Sequence, residues 1–171
     1  MRRLLLLLVI AIGPVALGGC SAMGSSSSEE DNSPKGESET PVVATPLSRG
    51  TLSEFKAEHD GITVESGPGS ADIVSVKVVI KPGGSTGWHH HPGVTLVSVA
   101  SGTATEYHED CQPTVIQAGE GFVESQGHVH FVRNEGKDPA VLYVTFLVPT
   151  TTPPTGLTIP DPQPKDCSNV K

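Results

Sequence analysis

Apolar and β-branched residues occur in short runs between residues 62 and 148, and glycine, proline or polar turns separate the runs. Short apolar runs bounded by turn residues are typical of β-strands. The pattern predicts strands at residues 62–66, 73–81, 94–100, 103–107, 114–117, 121–124, 129–133 and 140–148. Because the last run, AVLYVTFLV, is apolar at nearly every position, we expect that strand to be buried on both faces. Many short strands and turns predict an all-β sandwich or barrel.

The segments on either side of these strands have different patterns. Within residues 47–60, Ser53 followed by Glu54 and Lys56 predicts a short helix with a serine cap. Residues 149–171 contain six prolines and predict an extended strap that covers the domain, because proline cannot continue a helix or a central strand.

The first 20 residues have the pattern of a signal peptide. Two arginines precede an apolar stretch from Leu4 to Leu17, which is short for a membrane span. The stretch ends in LGGC, which resembles the lipobox of bacterial lipoproteins, and this resemblance implies a lipid anchor on Cys20. The alternative is an ordinary secretory signal with an incidental cysteine.

The sequence therefore predicts four parts. Residues 1–19 are a lipoprotein signal peptide, and residues 20–46 are a polar, disordered tether that cannot bury enough apolar area to fold. Residues 47–149 form the β-domain, and residues 150–171 form the proline-rich strap. The protein is expected outside the cytoplasm, anchored to the bacterial cell membrane.

Composition and charge agree with this class and exclude one kind of partner. The 171 residues include 19 glycines and 15 prolines, which suits a turn-rich all-β protein. The formal net charge is −8, and loss of Arg2 and Arg3 with the signal peptide brings it to −10. An acidic chain lacks the basic surface that nucleic-acid binding requires.

Three consecutive histidines lie between a glycine-rich turn and a predicted strand. If residues 88–91 are extended, His89 and His91 share one face and His90 takes the other. Two imidazoles at this spacing begin a metal site, and His130 is the best third ligand. We expect His90 to be solvated.

The two histidine segments resemble the two motifs of the cupin superfamily. The first motif, G-x5-HxH-x3-4-E-x6-G, matches at Gly83, His89, His91 and Gly102, with Thr95 at the glutamate position. The second motif, G-x5-PxG-x2-H-x3-N, matches at four positions, with serine for the proline: Gly119, Gly127, His130 and Asn134. The resemblance covers about residues 70–148. It implies a small jelly-roll barrel, or double-stranded β-helix, with both motifs facing one mouth, and it allows a homodimer.

The resemblance also implies a divalent metal ion, with Fe, Zn, Mn and Ni as the candidates. Without the usual glutamate, three histidines resemble the iron sites of some cupin dioxygenases more than the three-His-one-Glu sites of manganese or nickel cupins. Four further residues are candidate ligands or pocket residues: Thr95, Glu124, Gln126 and His128. By strand parity His128 shares a face with His130, so it is either a second inward imidazole or a hydrogen-bonded pocket residue.

Three functions remain open from the sequence. The first is a lipid-anchored cupin-domain protein that binds a metal and a small molecule in the barrel mouth. The second is an iron-type dioxygenase acting on a small aromatic or thiol substrate, and the third is a structural or binding barrel without metal. No residue is assigned a catalytic role. The sequence shows no obvious substrate anchor either, because Arg133, a basic residue near the motifs, is predicted to face outward.

Two cysteines remain if Cys20 carries lipid. In an oxidising compartment Cys111 and Cys167 are expected to form a disulfide that pins the strap to the barrel. The alternative is two free thiols.

Overall fold

A computed structural model describes residues 41–170 of the chain. The predicted signal peptide, the lipidation site Cys20 and most of the predicted tether lie outside these residues. Within the described range, none of the helices has the length and apolar character needed to cross a membrane.

The described residues form an all-β domain, as the sequence predicts. Its strands are β1 Val42–Leu52, β2 Lys56–His59, β3 Ile62–Glu65, β4 Ala71–Ile80, β5 His89–His90, β6 Val94–Ser101, β7 Thr103–Tyr107, β8 Pro113–Gln117, β9 Gly121–Glu124, β10 Phe131–Arg133, β11 Ala140–Pro149 and β12 Ile159–Pro160. Two short 3-10 turns, Pro154–Gly156 and Lys165–Cys167, lie in the C-terminal segment.

Two antiparallel sheets enclose the core. The larger has the strand order β1-β4-β11-β6-β9, and the smaller has the order β10-β7-β8. Two further pairs, β12-β5 and β2-β3, flank them. Buried residues of both sheets form one apolar cluster, because alternate residues of each strand face inward. Sheet members of this cluster include Ile80, Val99, Ala104, Ile116, Val132 and Leu142.

Strand β11 lies in the middle of the larger sheet, but it is not buried on both faces as predicted. Its residues alternate between buried and more exposed positions, and Tyr143 is 45% exposed. The reason is that an antiparallel sheet can keep one face against water while the other covers the core. The run of apolar residues therefore predicted a central strand correctly, but the prediction that its second face is buried is wrong.

The helix predicted within residues 47–60 is wrong. Strand β1 runs to Leu52 and pairs with β4 over nearly its whole length, and β2 and β3 form a hairpin. Long-range pairing outweighs a weak local cap signal. Strand β1 also begins at Val42, five residues before the boundary predicted at Leu47.

A single glycine turns the chain from the larger sheet into the smaller one. Gly102 separates β6 from β7 and has a φ of 73°, a backbone conformation that glycine adopts without strain. A Cβ atom at this position would lie 2.6 Å from the carbonyl oxygen of Pro139. This close approach explains why the first motif ends in glycine.

The C-terminal segment crosses back over the barrel, as expected for a strap. Its strand β12 pairs with β5, and its end is joined to the barrel by a disulfide between Cys111 and Cys167. The predicted disulfide is therefore confirmed. Cys167 is fully buried against an apolar cluster that includes Trp88 and Phe131.

The asparagine of the second motif ties the loop after β10 to the end of β4. Asn134 is fully buried, and its Nδ2 donates to the carbonyl oxygens of Ile80 and Asp138, both at 2.8 Å. Its Oδ1 accepts from the backbone N–H of Gly136 at 2.9 Å. The side chain therefore satisfies three backbone groups that would otherwise be unpaired.

Substitution Asn134→Ala should lower the free energy of unfolding by about 3 kcal/mol, because buried polar groups lose their partners. Urea denaturation of the variant and the parent measures this loss. The control is Asn169→Ala, since Asn169 is exposed. Equal losses in both variants would contradict this role for Asn134.

Candidate metal centre

The two histidine segments lie side by side in the barrel, as the sequence predicts. His89 begins β5, and His130 lies just before β10. The backbone N–H of each residue donates to the carbonyl oxygen of the other at 2.9 Å. This reciprocal pair fixes the two imidazoles next to each other, with ring centres 4.2 Å apart.

The parity prediction for the three consecutive histidines is also correct. His89 and His91 are buried, at 5% and 4% exposure, whereas His90 is half-buried on the other side of the strand. His90 is not simply solvated, because its Nδ1 lies 2.5 Å from a carboxylate oxygen of Asp161 in the strap. His89, His91 and His130 form a buried group whose ligand atoms lie within 4.8 Å of one another.

Each of the three buried imidazoles donates its Nδ1–H to a backbone carbonyl. The acceptors are Gly87 for His89 at 2.9 Å, Leu157 for His91 at 2.6 Å and His128 for His130 at 2.9 Å. A carbonyl oxygen only accepts, so Nδ1 carries the proton in each ring. A ring that carries its single proton on Nδ1 presents an Nε2 lone pair, as metal-ligating histidines do when a second partner fixes their orientation.

A glutamate from the neighbouring strand completes the group. Glu124, at the end of β9, is 4% exposed, and its carboxylate oxygens lie 3.0 Å from Nε2 of His91 and 2.9 Å from Nε2 of His130. Its partner across β6 is Thr95, the residue that stands at the glutamate position of the first motif. The first motif has no glutamate on β6, but a carboxylate from β9, the strand paired with β6, lies beside the histidines.

This arrangement fits a divalent cation. Carboxylate oxygens and imidazole lone pairs repel each other at about 3 Å unless a proton or a metal ion lies between them. Two donors in adjacent positions of an octahedral metal are separated by about 3 Å when each bond is about 2.1 Å. Nε2 of His130 is buried without a hydrogen-bond partner of good geometry, although Glu124 is in contact with it. Nitrogen and carboxylate donors suit Mn, Fe, Ni and Zn.

The ionisation of the group favours metal binding. Burial, with a smaller contribution from the charge of His130, lowers the pKa of His89 to about 4, so this imidazole is neutral near pH 7. Burial alone would raise the pKa of Glu124, but contacts with His130 and His91 hold it at about 2. Burial likewise opposes the charge on His130, and the contact with Glu124 nevertheless raises its pKa. A proton and a metal ion therefore compete for Nε2 of His130.

The remaining predicted site residues fall into two groups. Thr95 is fully buried, and its hydroxyl has no hydrogen-bond partner among the described residues. Gln126 and His128 are exposed and lie outside the histidine group. Strand parity fails for them because the backbone N–H of His128 donates to the carbonyl of Ser125 and makes a turn, not a strand.

A buried carboxyl group that the sequence analysis missed lies on β7. Glu106 is 4% exposed, and its Oε1 is 3.4 Å from Nε2 of the half-exposed His108. Burial raises its pKa, and this effect outweighs the opposite effect of His108. The charges of Glu124 and His130 also act on the Glu106 carboxyl, which places it electrostatically close to the histidine group. The available sequence signal was strand parity in TATEY, which places the side chain of Glu106 on the inward face of β7.

The histidine group forms one end of an apolar cavity. The cavity has a volume of about 190 Å³. Its polar lining residues are Thr86, His89, His91, Glu124 and Thr158, and the rest of its wall is aliphatic or phenyl. Among the described residues that line it, none is a lysine or an arginine. A small molecule with an apolar body can therefore lie against the histidines.

Comparison with known proteins supports the motif-based interpretation. Residues 76–146 match the family model described as "Cupin domain". This range contains both histidine segments, Glu124 and the strands that carry them. It excludes β1 and the C-terminal strap.

The similar proteins match only parts of the chain. Germin-like protein 5-1 of Oryza sativa subsp. japonica is 28% identical over 115 residues, which are 61% of this chain and 50% of the relative. The chain thus spans about half the length of this curated relative. An oxalate oxidase structure in complex with the substrate analogue glycolate is 29% identical, with 43% of this chain and 41% of that chain covered and a TM-score of 0.40. A cupin superfamily protein from Desulfitobacterium hafniense is 16% identical, with 63% and 78% covered and a TM-score of 0.44.

Proposed function

Because this chain is a member of the cupin superfamily through residues 76–146, we propose that it holds a divalent metal ion and binds a small molecule beside it. The carrying observation is the buried group of His89, His91 and His130, whose Nδ1 protons all go to backbone carbonyls. The carboxylate of Glu124 contacts two of these imidazoles, His91 and His130. Such a pre-oriented set of buried donors is costly to assemble without a cation.

We propose Glu124 as the fourth ligand. With it the donor set is three imidazoles and one carboxylate, which resembles the three-His-one-Glu sites of manganese and nickel cupins more than a three-His iron site. When bound, the metal supplies a Lewis acid with coordination positions open to a ligand. The chain's own residues bury the donors and orient them through backbone carbonyls.

The cavity favours a small ligand with an apolar body and few charges. A dry apolar cavity of about 150 Å³ accommodates benzene, so a cavity of about 190 Å³ suits a molecule slightly larger than one ring. A dicarboxylate such as oxalate would bring a second negative charge close to Glu124 and to aliphatic walls. This is unfavourable, because the lining contains no lysine or arginine to pair with it. The lining therefore disfavours a dicarboxylate as the ligand of this cavity.

A second candidate function is an iron-type dioxygenase acting on a small aromatic or thiol substrate. The observation in its favour is the apolar cavity beside the histidines, which can exclude water from a substrate placed there. Iron as the metal that copurifies with the protein, with oxygen uptake on adding such substrates, would favour this function.

We propose further that Cys20 carries a lipid and anchors the protein on the outer side of the cell membrane. The lipobox-like LGGC supports this, and so does the Cys111–Cys167 disulfide, since disulfides persist in oxidising compartments. Globomycin, which blocks lipoprotein signal cleavage, would make the precursor accumulate. Processing that is insensitive to it would contradict the anchor.

The glutamate assignment predicts the result of exchanging two residues across the sheet. Glu124→Gln removes the ligand charge and should weaken metal binding by roughly 10- to 100-fold. The double substitution Thr95→Glu with Glu124→Thr should recover binding, because residues 95 and 124 face each other across β6 and β9. Competition with a chromogenic chelator measures both affinities.

Glu109→Gln serves as the matched control, since it removes one negative charge from an exposed position. An affinity for metal that is the same in Glu124→Gln and Glu109→Gln would contradict the ligand role of Glu124. Failure of the double substitution to recover binding, in a protein that still folds, would show that the position of the carboxylate matters and not only its presence.

A further inference from the structure

The C-terminal strap, residues 150–170, lies outside the matched cupin domain and yet contacts the histidine group. Leu157 reaches His91, Thr158 lines the cavity, and Ile159 and Pro160 form β12 beside β5. A segment beyond the family's common barrel therefore contributes to both the metal end and the wall of the cavity.

The contact at His91 differs from the contacts at the other two histidines. His89 and His130 donate their Nδ1–H to the carbonyl oxygen two residues earlier in their own segments, Gly87 and His128. The equivalent carbonyl for His91 is that of His89, which already accepts the backbone N–H of His130. His91 instead donates to the carbonyl oxygen of Leu157, 66 residues away in the sequence. Its ring orientation thus depends on where the strap lies.

Several contacts hold the strap at this position. The backbone N–H of Asp161 donates to the carbonyl oxygen of Trp88 at 2.9 Å, and its carboxylate lies 2.5 Å from Nδ1 of His90. Leu157 packs against the main apolar cluster, and the Cys111–Cys167 disulfide fixes the far end. The strap is therefore held at Leu157 itself and at two points C-terminal to the carbonyl that His91 uses.

From these contacts we infer that the strap is a positioning element of the metal centre, with Asp161 as its clamp and the Leu157 carbonyl as the group that sets the tautomer of His91. The inference rests on the proposed metal-binding function. When the strap is in place, the proton of His91 stays on Nδ1, and Nε2 remains free to bind metal. When the strap is displaced, the ring loses its acceptor, and the neutral imidazole distributes its proton between both nitrogens.

The test measures both the metal affinity and which imidazole nitrogen of His91 carries the proton. Asp161→Ala should weaken metal binding by roughly tenfold without changing the stoichiometry, as removal of outer partners of ligating histidines does. The Cys111→Ser/Cys167→Ser variant should also weaken metal binding, because it releases the far end of the strap. In metal-free protein, nitrogen-15 spectra should show the single proton of the neutral His91 ring on Nδ1 in the parent, and partly on Nε2, beside Glu124, in Asp161→Ala.

Two control variants separate this role from general effects. Asp166→Ala removes the same charge from an exposed position of the same strap and should leave both readouts unchanged. Asp161→Asn keeps an oxygen acceptor for His90 and should restore most of the affinity. Circular dichroism confirms that each variant is folded before affinity is compared.

The outcomes distinguish the two proposals. If Asp161→Ala binds metal as tightly as Asp166→Ala and keeps His91 protonated at Nδ1, the strap inference is wrong while the metal site stands. If the parent binds no metal, the proposed function is wrong, and the nitrogen-15 spectra still decide whether the strap sets the tautomer of His91.

Discussion

A variant carrying His89→Ala, His91→Ala and His130→Ala should bind no metal, whereas the parent should bind close to one equivalent. The three imidazoles are buried, their Nε2 atoms face one another, and the substitutions leave Glu124 as the single ligand. One carboxylate in a buried site does not compensate for dehydrating a divalent cation. Elemental analysis of tag-free protein, after dialysis with Mn, Fe, Ni or Zn, measures the stoichiometry.

The chain offers a matched control for this variant. His59 and His128 are exposed and lie outside the group, so His59→Ala/His128→Ala should retain the metal of the parent. No metal in the parent under any of these conditions would contradict the proposed function and leave a barrel for binding or support. Manganese or nickel in the native protein would agree with Glu124 as a ligand, and iron would direct the next experiment to oxygen uptake.

Loss of the disulfide should have the largest effect on stability. Cys111 and Cys167 are 56 residues apart, and closing a loop of this length removes conformational entropy from the unfolded chain equivalent to about 4 kcal/mol. The variant Cys111→Ala/Cys167→Ala should therefore unfold at a lower urea concentration, with a free energy of unfolding lower by about 4 kcal/mol. Chemical denaturation of both proteins, monitored by the fluorescence of Trp88, measures the difference.

Trp88 is a suitable probe because it packs in the same apolar cluster as Cys167. Cys20→Ala removes the remaining cysteine, which is predicted to carry lipid, and should leave the stability of the domain unchanged. A difference of less than about 1 kcal/mol between the parent and the double variant would show that the strap already restricts the unfolded chain or that the bond is strained.

Much of the fold was predictable from local patterns. Runs of apolar residues between turns identified the strands of the barrel, and the spacing of Gly102, Gly119 and Gly127 with the histidines identified the family. The pattern failed where pairing between distant segments decides structure. Residues 47–52 form the end of β1 because β4 lies beside them. The other face of β11 is more exposed, since no second layer formed by residues 41–170 covers it.

The candidate site was predictable to a similar degree. Strand parity placed His89 and His91 on one face, and both are buried with His130. The same rule failed for His128, because residues 125–128 form a turn. Glu106 was missed, since nothing in the local sequence shows that its side chain lies near His130.

By itself, the sequence determined the type of fold, the three histidine donors and the pairing of Cys111 with Cys167, because these depend on residue type, short-range spacing and the number of cysteines. Only the tertiary structure decided that Glu124 lies opposite Thr95 and in contact with His91 and His130, and that the Leu157 carbonyl accepts the Nδ1 proton of His91. The physical reason is the same in both cases. Register between strands and the path of a strap are set by hydrogen bonds between residues far apart in the chain, which no local pattern specifies.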